Sequence, residues 1–97
     1  MEHFQLSKKI NRYMNEIIGC HDIILPNDYY DEYEQITFIY RNENDEYSIS
    51  AYYQADDEVF ISCYINDKFI FENDVNSLEE FIECLKLNNF SELFNKS

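Results

Sequence analysis

Glycine and proline occur once each in these 97 residues, tryptophan is absent, histidine occurs twice, and only seven lysines and arginines face twenty aspartates and glutamates. Each scarcity excludes something. With Gly19 alone, no glycine-rich loop exists to cradle a phosphate. The histidines are His3 and His21, and side chains adjacent in sequence usually point apart, so Cys20-His21 is not a nucleophile–base pair. No other arrangement of nucleophile and base, or of tuned acid and base, is legible, and a non-enzyme is expected.

The three cysteines, Cys20, Cys63 and Cys84, are odd in number and lack C-x-x-C spacing, which argues against a disulfide framework and a zinc knuckle and predicts reduced, buried thiols. The opening MEHFQLSKKI has no apolar stretch of signal-peptide length, and no apolar run is long enough to span a bilayer. A cytoplasmic protein is the expectation. The formal net charge of −13 repels nucleic acid and anionic membrane surfaces, so neither is expected as a direct partner. A basic protein surface is attracted by the same field.

What the chain does have is apolar material: 45% hydrophobic residues and 18% aromatics, including nine Tyr and eight Phe. That is enough for one core and one domain over residues 1–97, and it argues against disorder. Leu6, Ile10, Tyr13, Met14, Ile17 and Ile18 recur at helical spacing and predict an amphipathic helix over residues 4–18, ended by Gly19 as a cap. Ile23-Ile24-Leu25 reads as either a brief strand or an extended connection, stopped by Pro26, and Asn27 to Glu34 as an irregular acidic loop.

Four runs of period two follow: Gln35 to Arg41, Glu46 to Gln54, Val59 to Ile65 and Lys68 to Glu72. One face collects Ile36, Phe38, Tyr40, Tyr47, Ile49, Ala51, Tyr53, Val59, Ile61, Cys63, Ile65, Phe69 and Phe71. The other carries Thr37, Ile39, Arg41, Ser48, Ser50, Tyr52, Phe60, Ser62, Tyr64 and Ile70. Short connections make neighbours antiparallel. Ser77 with Glu80 forms a capping-box pattern before a second apolar helical face, about Leu78 to Leu87, and Phe90 to Phe94 adds a helical turn. The expected fold is therefore α+β: a four-stranded antiparallel meander flanked by an N-terminal and a C-terminal helix packed on one face.

In a meander, connections alternate between the ends of the sheet, and this sorts the carboxylates. Asp28, Asp31, Glu32 and Glu34 before the first strand, Asp56, Asp57 and Glu58 between the second and third, and Glu72 and Asp74 leaving the fourth gather at one end, in segments without Lys or Arg. Glu79 and Glu80 open the second helix there, where the dipole favours them. The opposite end mixes Glu43, Asp45, Glu46 and Asp67 with Arg41 and Lys68. Neither Asp56-Asp57-Glu58 nor Asn42 to Glu46 has the alternating ligands and glycine of an EF-hand loop, so no metal site and no cofactor are expected. Tyr29, Tyr30, Tyr33, Tyr52 and Tyr53 beside the acidic end add the contact area that protein interfaces favour.

In size, charge and helix–sheet–helix order the chain resembles the small acidic inhibitor proteins that phages and mobile elements direct against restriction, repair or CRISPR nucleases, some of them DNA mimics. The resemblance implies a protein that binds and blocks a basic nucleic-acid-binding partner; it rests on no residue motif, and it is the charge distribution that makes those nine carboxylates the expected contact residues. An immunity protein neutralising a cognate toxin shares the electrostatics. An adaptor that self-associates through Ile39, Tyr52, Phe60, Tyr64 and Ile70 is the reading from another class, and the chain is expected to be a monomer or a homodimer.

Overall fold

The structure, a computed structural model, describes residues 4–24 and 33–95, with the backbone alone for residues 21–24. Helix α1, Gln5–Tyr13, runs on into a π-helical turn, Met14–Ile18. Gly19 ends it at φ 81°, a left-handed value that costs glycine nothing, and the amides of Gly19 and Cys20 both donate to the Met14 carbonyl. Strands β1 (His21–Ile24), β2 (Gln35–Arg41), β3 (Glu46–Ala55), β4 (Glu58–Ile65) and β5 (Lys68–Val75) follow, then α2 (Leu78–Leu87) and a 3₁₀ turn, Ser91–Phe94.

The sheet is antiparallel throughout, in the spatial order β1-β2-β3-β4-β5. The expected four-stranded meander is β2 to β5. The short segment that the sequence left open is a fifth strand, since His21 to Ile24 pair with Ile39 to Ile36 of β2. The predicted loop from Asn27 lies outside the described residues up to Glu32. The connections have the chemistry their shapes demand. Asn66 and Asp67, at φ 53° and 66°, make the two-residue β4–β5 turn with residues that tolerate the left-handed region. Between β2 and β3, the Asn42 side-chain oxygen accepts the amides of Asn44 and Asp45.

Both helices cover one face. Leu6, Ile10, Met14 and Ile18 come down from the first helical segment and Phe81, Cys84 and Leu85 from α2, onto Ile36, Phe38, Ile49, Ala51, Val59, Ile61, Cys63 and Val75 of the sheet, all buried. Phe90 closes one end of this core, its ring against Tyr47 (5.4 Å) and Phe71 (5.8 Å), both edge-on. Fully burying side chains such as Phe38, Phe81 and Phe90 stabilises by roughly 1.5–3 kcal/mol each.

On β5 two assignments change. The fourth strand runs to Val75, not Glu72, because Val75 pairs with Val59 and is buried beneath the helices. Phe69 also leaves the core face. Cys63 pairs with Phe71 but Tyr64 with Phe69, so one extra residue, Ile70, bulges into the strand and reverses the alternation. Phe69 is 54% exposed beside Tyr64 on the outer face, while Ile70 packs against the core.

Candidate partner-binding surface

The first turn of α1 is tied to the β3–β4 turn. The Leu6 amide donates to the Asp56 carbonyl (2.7 Å) and the Phe4 amide to the Asp56 carboxylate (3.0 Å). At the start of α2, Asn76 donates to the Asp57 carbonyl (3.4 Å), the Ser77 hydroxyl accepts the Glu80 amide (3.1 Å), and the Glu80 carboxylate accepts the Asn76 amide (3.4 Å). Both helices therefore begin at the same end of the sheet, the end that carries the acidic β3–β4 turn. Two helix dipoles direct their positive termini there, which lowers the repulsion among the carboxylates they meet.

Of the predicted contact residues, Asp28, Asp31 and Glu32 lie outside the described residues. The structure brings Glu34, Asp56, Asp57 and Glu58 together at the end of the sheet as expected, since Glu34 accepts the Tyr53 amide through its carbonyl and the β3–β4 turn holds the other three. Asp57 is exposed; Glu34, Asp56 and Glu58 are half-buried. Asp56 has a structural occupation that sequence spacing did not reveal, because its carboxylate accepts both the Phe4 amide and the Tyr53 hydroxyl (3.3 Å). Burial, together with the negative charge of Asp56 and Glu34, raises the Tyr53 hydroxyl above its ordinary range.

Glu72 and Asp74 do not leave the strand at that end. They lie within β5, opposite Ser62 and Phe60, and both are exposed on the outer sheet face. The acidic surface is accordingly not a cap on one end. It starts at Asp57 and Glu79 and turns along β5. Neither Glu72 nor Asp74 forms an ion pair with a described residue. At the far end, Arg41 binds Glu46 (2.7 Å), in keeping with the mixed charge expected there.

The basic residues are nearer to the acid than segment counting implied. A cleft of about 340 Å³ opens between α1, the β3–β4 turn and the start of α2, and Lys9 lines it with Asp57 and Glu79. Lys8 lies over the Tyr33 ring, 5.6 Å from its centre. Tyr33 and Tyr53 are in turn packed around Phe4, at 6.1 and 4.5 Å, so these two tyrosines hold the N-terminal turn in place. Tyr52 instead pairs with Phe60 on the outer face (6.1 Å).

For chemistry the surface offers little beyond charge and stacking. Among the described residues, no group of three or more His, Cys, Asp or Glu side chains is placed to hold a metal ion. Cys20, Cys63 and Cys84 are all buried and none is in a disulfide, as the sequence predicts, and burial pushes the Cys63 thiol far above its usual range. No helix among the described residues is long and apolar enough to cross a membrane. Comparison with protein-family models, curated proteins and solved structures finds no match.

Proposed function

We propose that this chain is a non-catalytic inhibitor that binds a basic nucleic-acid-binding protein, such as a CRISPR or restriction nuclease, and blocks it by holding carboxylates where a nucleic acid's phosphates would lie. The observation that carries the reading is the set of exposed acids, Asp57, Glu72, Asp74 and Glu79, running from the helix starts onto one sheet edge. Glu72 and Asp74 are two residues apart on one strand, hence about 6.8 Å apart along it, close to the rise of two phosphates on a DNA strand. A rigid sheet presents that spacing without an ordering cost at the moment of binding. The partner's own compartment, the cytoplasm, is where such an inhibitor acts.

The test begins with a partner captured from the native host by the tagged chain. On this reading, binding weakens steeply as ionic strength rises, and duplex DNA competes. Replacing Asp57→Asn, Glu72→Gln and Asp74→Asn together lowers affinity by about 10- to 100-fold. Salt-insensitive binding, or a ternary complex that includes DNA, would rule out groove occupation.

A further inference from the structure

The helices cover one face of the sheet, and no described element covers the other. On that outer face the strand register sets out rows of neighbours. Tyr52 pairs with Phe60 and Phe60 with Asp74; Ser50 pairs with Ser62 and Ser62 with Glu72; Ser48 pairs with Tyr64 and Tyr64 with Phe69. Directly opposed residues in an antiparallel pair hold their Cβ atoms about 4.5–5.5 Å apart. Asp74 is thus the cross-strand neighbour of Phe60, and Glu72 lies in the row between the two aromatic rows.

The floor between those rows satisfies itself. Thr37 and Ser50 share a hydrogen bond (3.0 Å), and the Ser62 hydroxyl donates to the Tyr64 hydroxyl (3.4 Å). What the face leaves for a ligand is two aromatic pairs, Tyr52–Phe60 and Tyr64–Phe69, with ring centres 6.1 and 5.8 Å apart, and two exposed carboxylates without a described cation. Phe69, at 54% exposure, is the most open of the rings, and the bulge at Ile70 is what put it there.

A cation that met only carboxylates would be lysine or arginine indifferently. A cation that must also lie flat on a ring is arginine. Its guanidinium is planar and weakly hydrated, stacks on aromatic faces and offers a fork of donors to a carboxylate, whereas an ammonium is a compact, strongly hydrated point charge. Carboxylates two residues apart along a strand match alternate side chains of an extended segment.

We infer that this outer face, through Tyr52, Phe60, Tyr64, Phe69, Glu72 and Asp74, receives an arginine-bearing segment of the partner protein, each guanidinium stacked on a ring and bound to the neighbouring carboxylate. The inference rests on the charge-driven reading above and adds which basic residue the partner presents. Complementarity of charge selects the occupant, and the interleaved rings select arginine over lysine.

The experiment measures the affinity of the full chain for two labelled peptides of equal charge by fluorescence anisotropy, one alternating arginine with serine and one alternating lysine with serine. The expected result is tighter binding of the arginine peptide by about fivefold or more, as one or two stacked cations imply. Phe69→Leu and Phe60→Leu, which keep an apolar side chain but remove the ring, reduce arginine binding to the lysine level and leave lysine binding as it was. Phe69 is exposed, so its variant folds even where that of Phe60 does not. Asp74→Asn weakens both peptides. Equal, salt-sensitive binding of the two peptides, or an arginine preference that survives both ring replacements, overturns the arginine inference and leaves the charge-driven reading standing. Binding of neither peptide overturns both.

Discussion

Asp56 and Asp57 are adjacent, identical and in the same turn, yet they have different occupations. The Asp56 carboxylate accepts the Phe4 amide and the Tyr53 hydroxyl, and so acts as a cap for α1 supplied from another part of the chain. Asp57 is exposed and uses its backbone carbonyl, not its carboxylate, toward Asn76. Asp56→Ala is therefore expected to cost about 1–2 kcal/mol in urea unfolding, the range of a lost helix cap. Asp57→Asn changes stability by less than about 0.5 kcal/mol, as exposed substitutions do, and its effect appears in partner binding. A combined replacement of the turn would mix these two effects.

Tyr47 makes a prediction of its own. Burial first, then the negative charge of Asp45 and Glu92, raises its hydroxyl above the ordinary value of 10.0, with Asn42 pulling weakly the other way. A raised value in the folded state means the folded chain holds this proton longer than the unfolded chain. The resulting stability is fully present below pH about 10 and is lost as pH rises through the folded value. Tyr13 and Tyr53 are shifted in the same direction, so Tyr47→Phe makes the alkaline fall in stability shallower without removing it. Unfolding midpoints measured from neutral pH to above 10 check this; an unchanged slope overturns it.

At the level of elements, the first helical segment ends where the only glycine allows it to. Gly19, at φ 81°, lets two amides reach the Met14 carbonyl and turns the chain into β1. Gly19→Ala forces a Cβ into the left-handed region and is expected to cost about 1–2 kcal/mol, with loss of helical signal confined to Met14–Ile18. That boundary was legible because a single glycine after an apolar helical stripe has few other reasons to be there. The meander was legible for a related reason: its runs alternate cleanly, and their connections are too short for anything but antiparallel return. The bulge at Ile70 was not, because Phe69, Ile70 and Phe71 are all apolar and either alternation satisfies a hydrophobic pattern. Nor could spacing show that β5 continues through Asn73 and Asp74, poor strand formers that are held in place by pairing with Ile61 and Phe60. The consequence reaches the candidate surface, since these errors put Glu72 and Asp74 at an end and Phe69 in the core. Asp56 as a cap, and Lys9 beside Asp57, are tertiary juxtapositions between the first helix and a turn some fifty residues later. No local pattern encodes them.

The molecule as a whole carries a formal charge of −13, and an excess of one sign destabilises the folded state by self-repulsion. The two helix starts beside the acidic turn reduce that cost locally but act only over the first turn of each helix. Glu72 and Asp74, out on β5, receive no such relief. They do discourage edge-to-edge pairing of an exposed strand, which is one bland reason for charge there. A protein whose acids served solubility alone would lose nothing in partner binding when a few were neutralised. The triple variant Asp57→Asn, Glu72→Gln, Asp74→Asn separates the two cases because its effects should have opposite signs. Its unfolding midpoint rises, by an amount corresponding to about 0.5–2 kcal/mol, because three mutually repelling charges are gone. Added salt, which stabilises the parent chain by screening, stabilises the variant less. Partner affinity falls in the same variant. Greater stability with undiminished binding would assign these carboxylates to solubility and edge protection. Greater stability with weakened binding is the signature of charge kept for a partner at the expense of the fold.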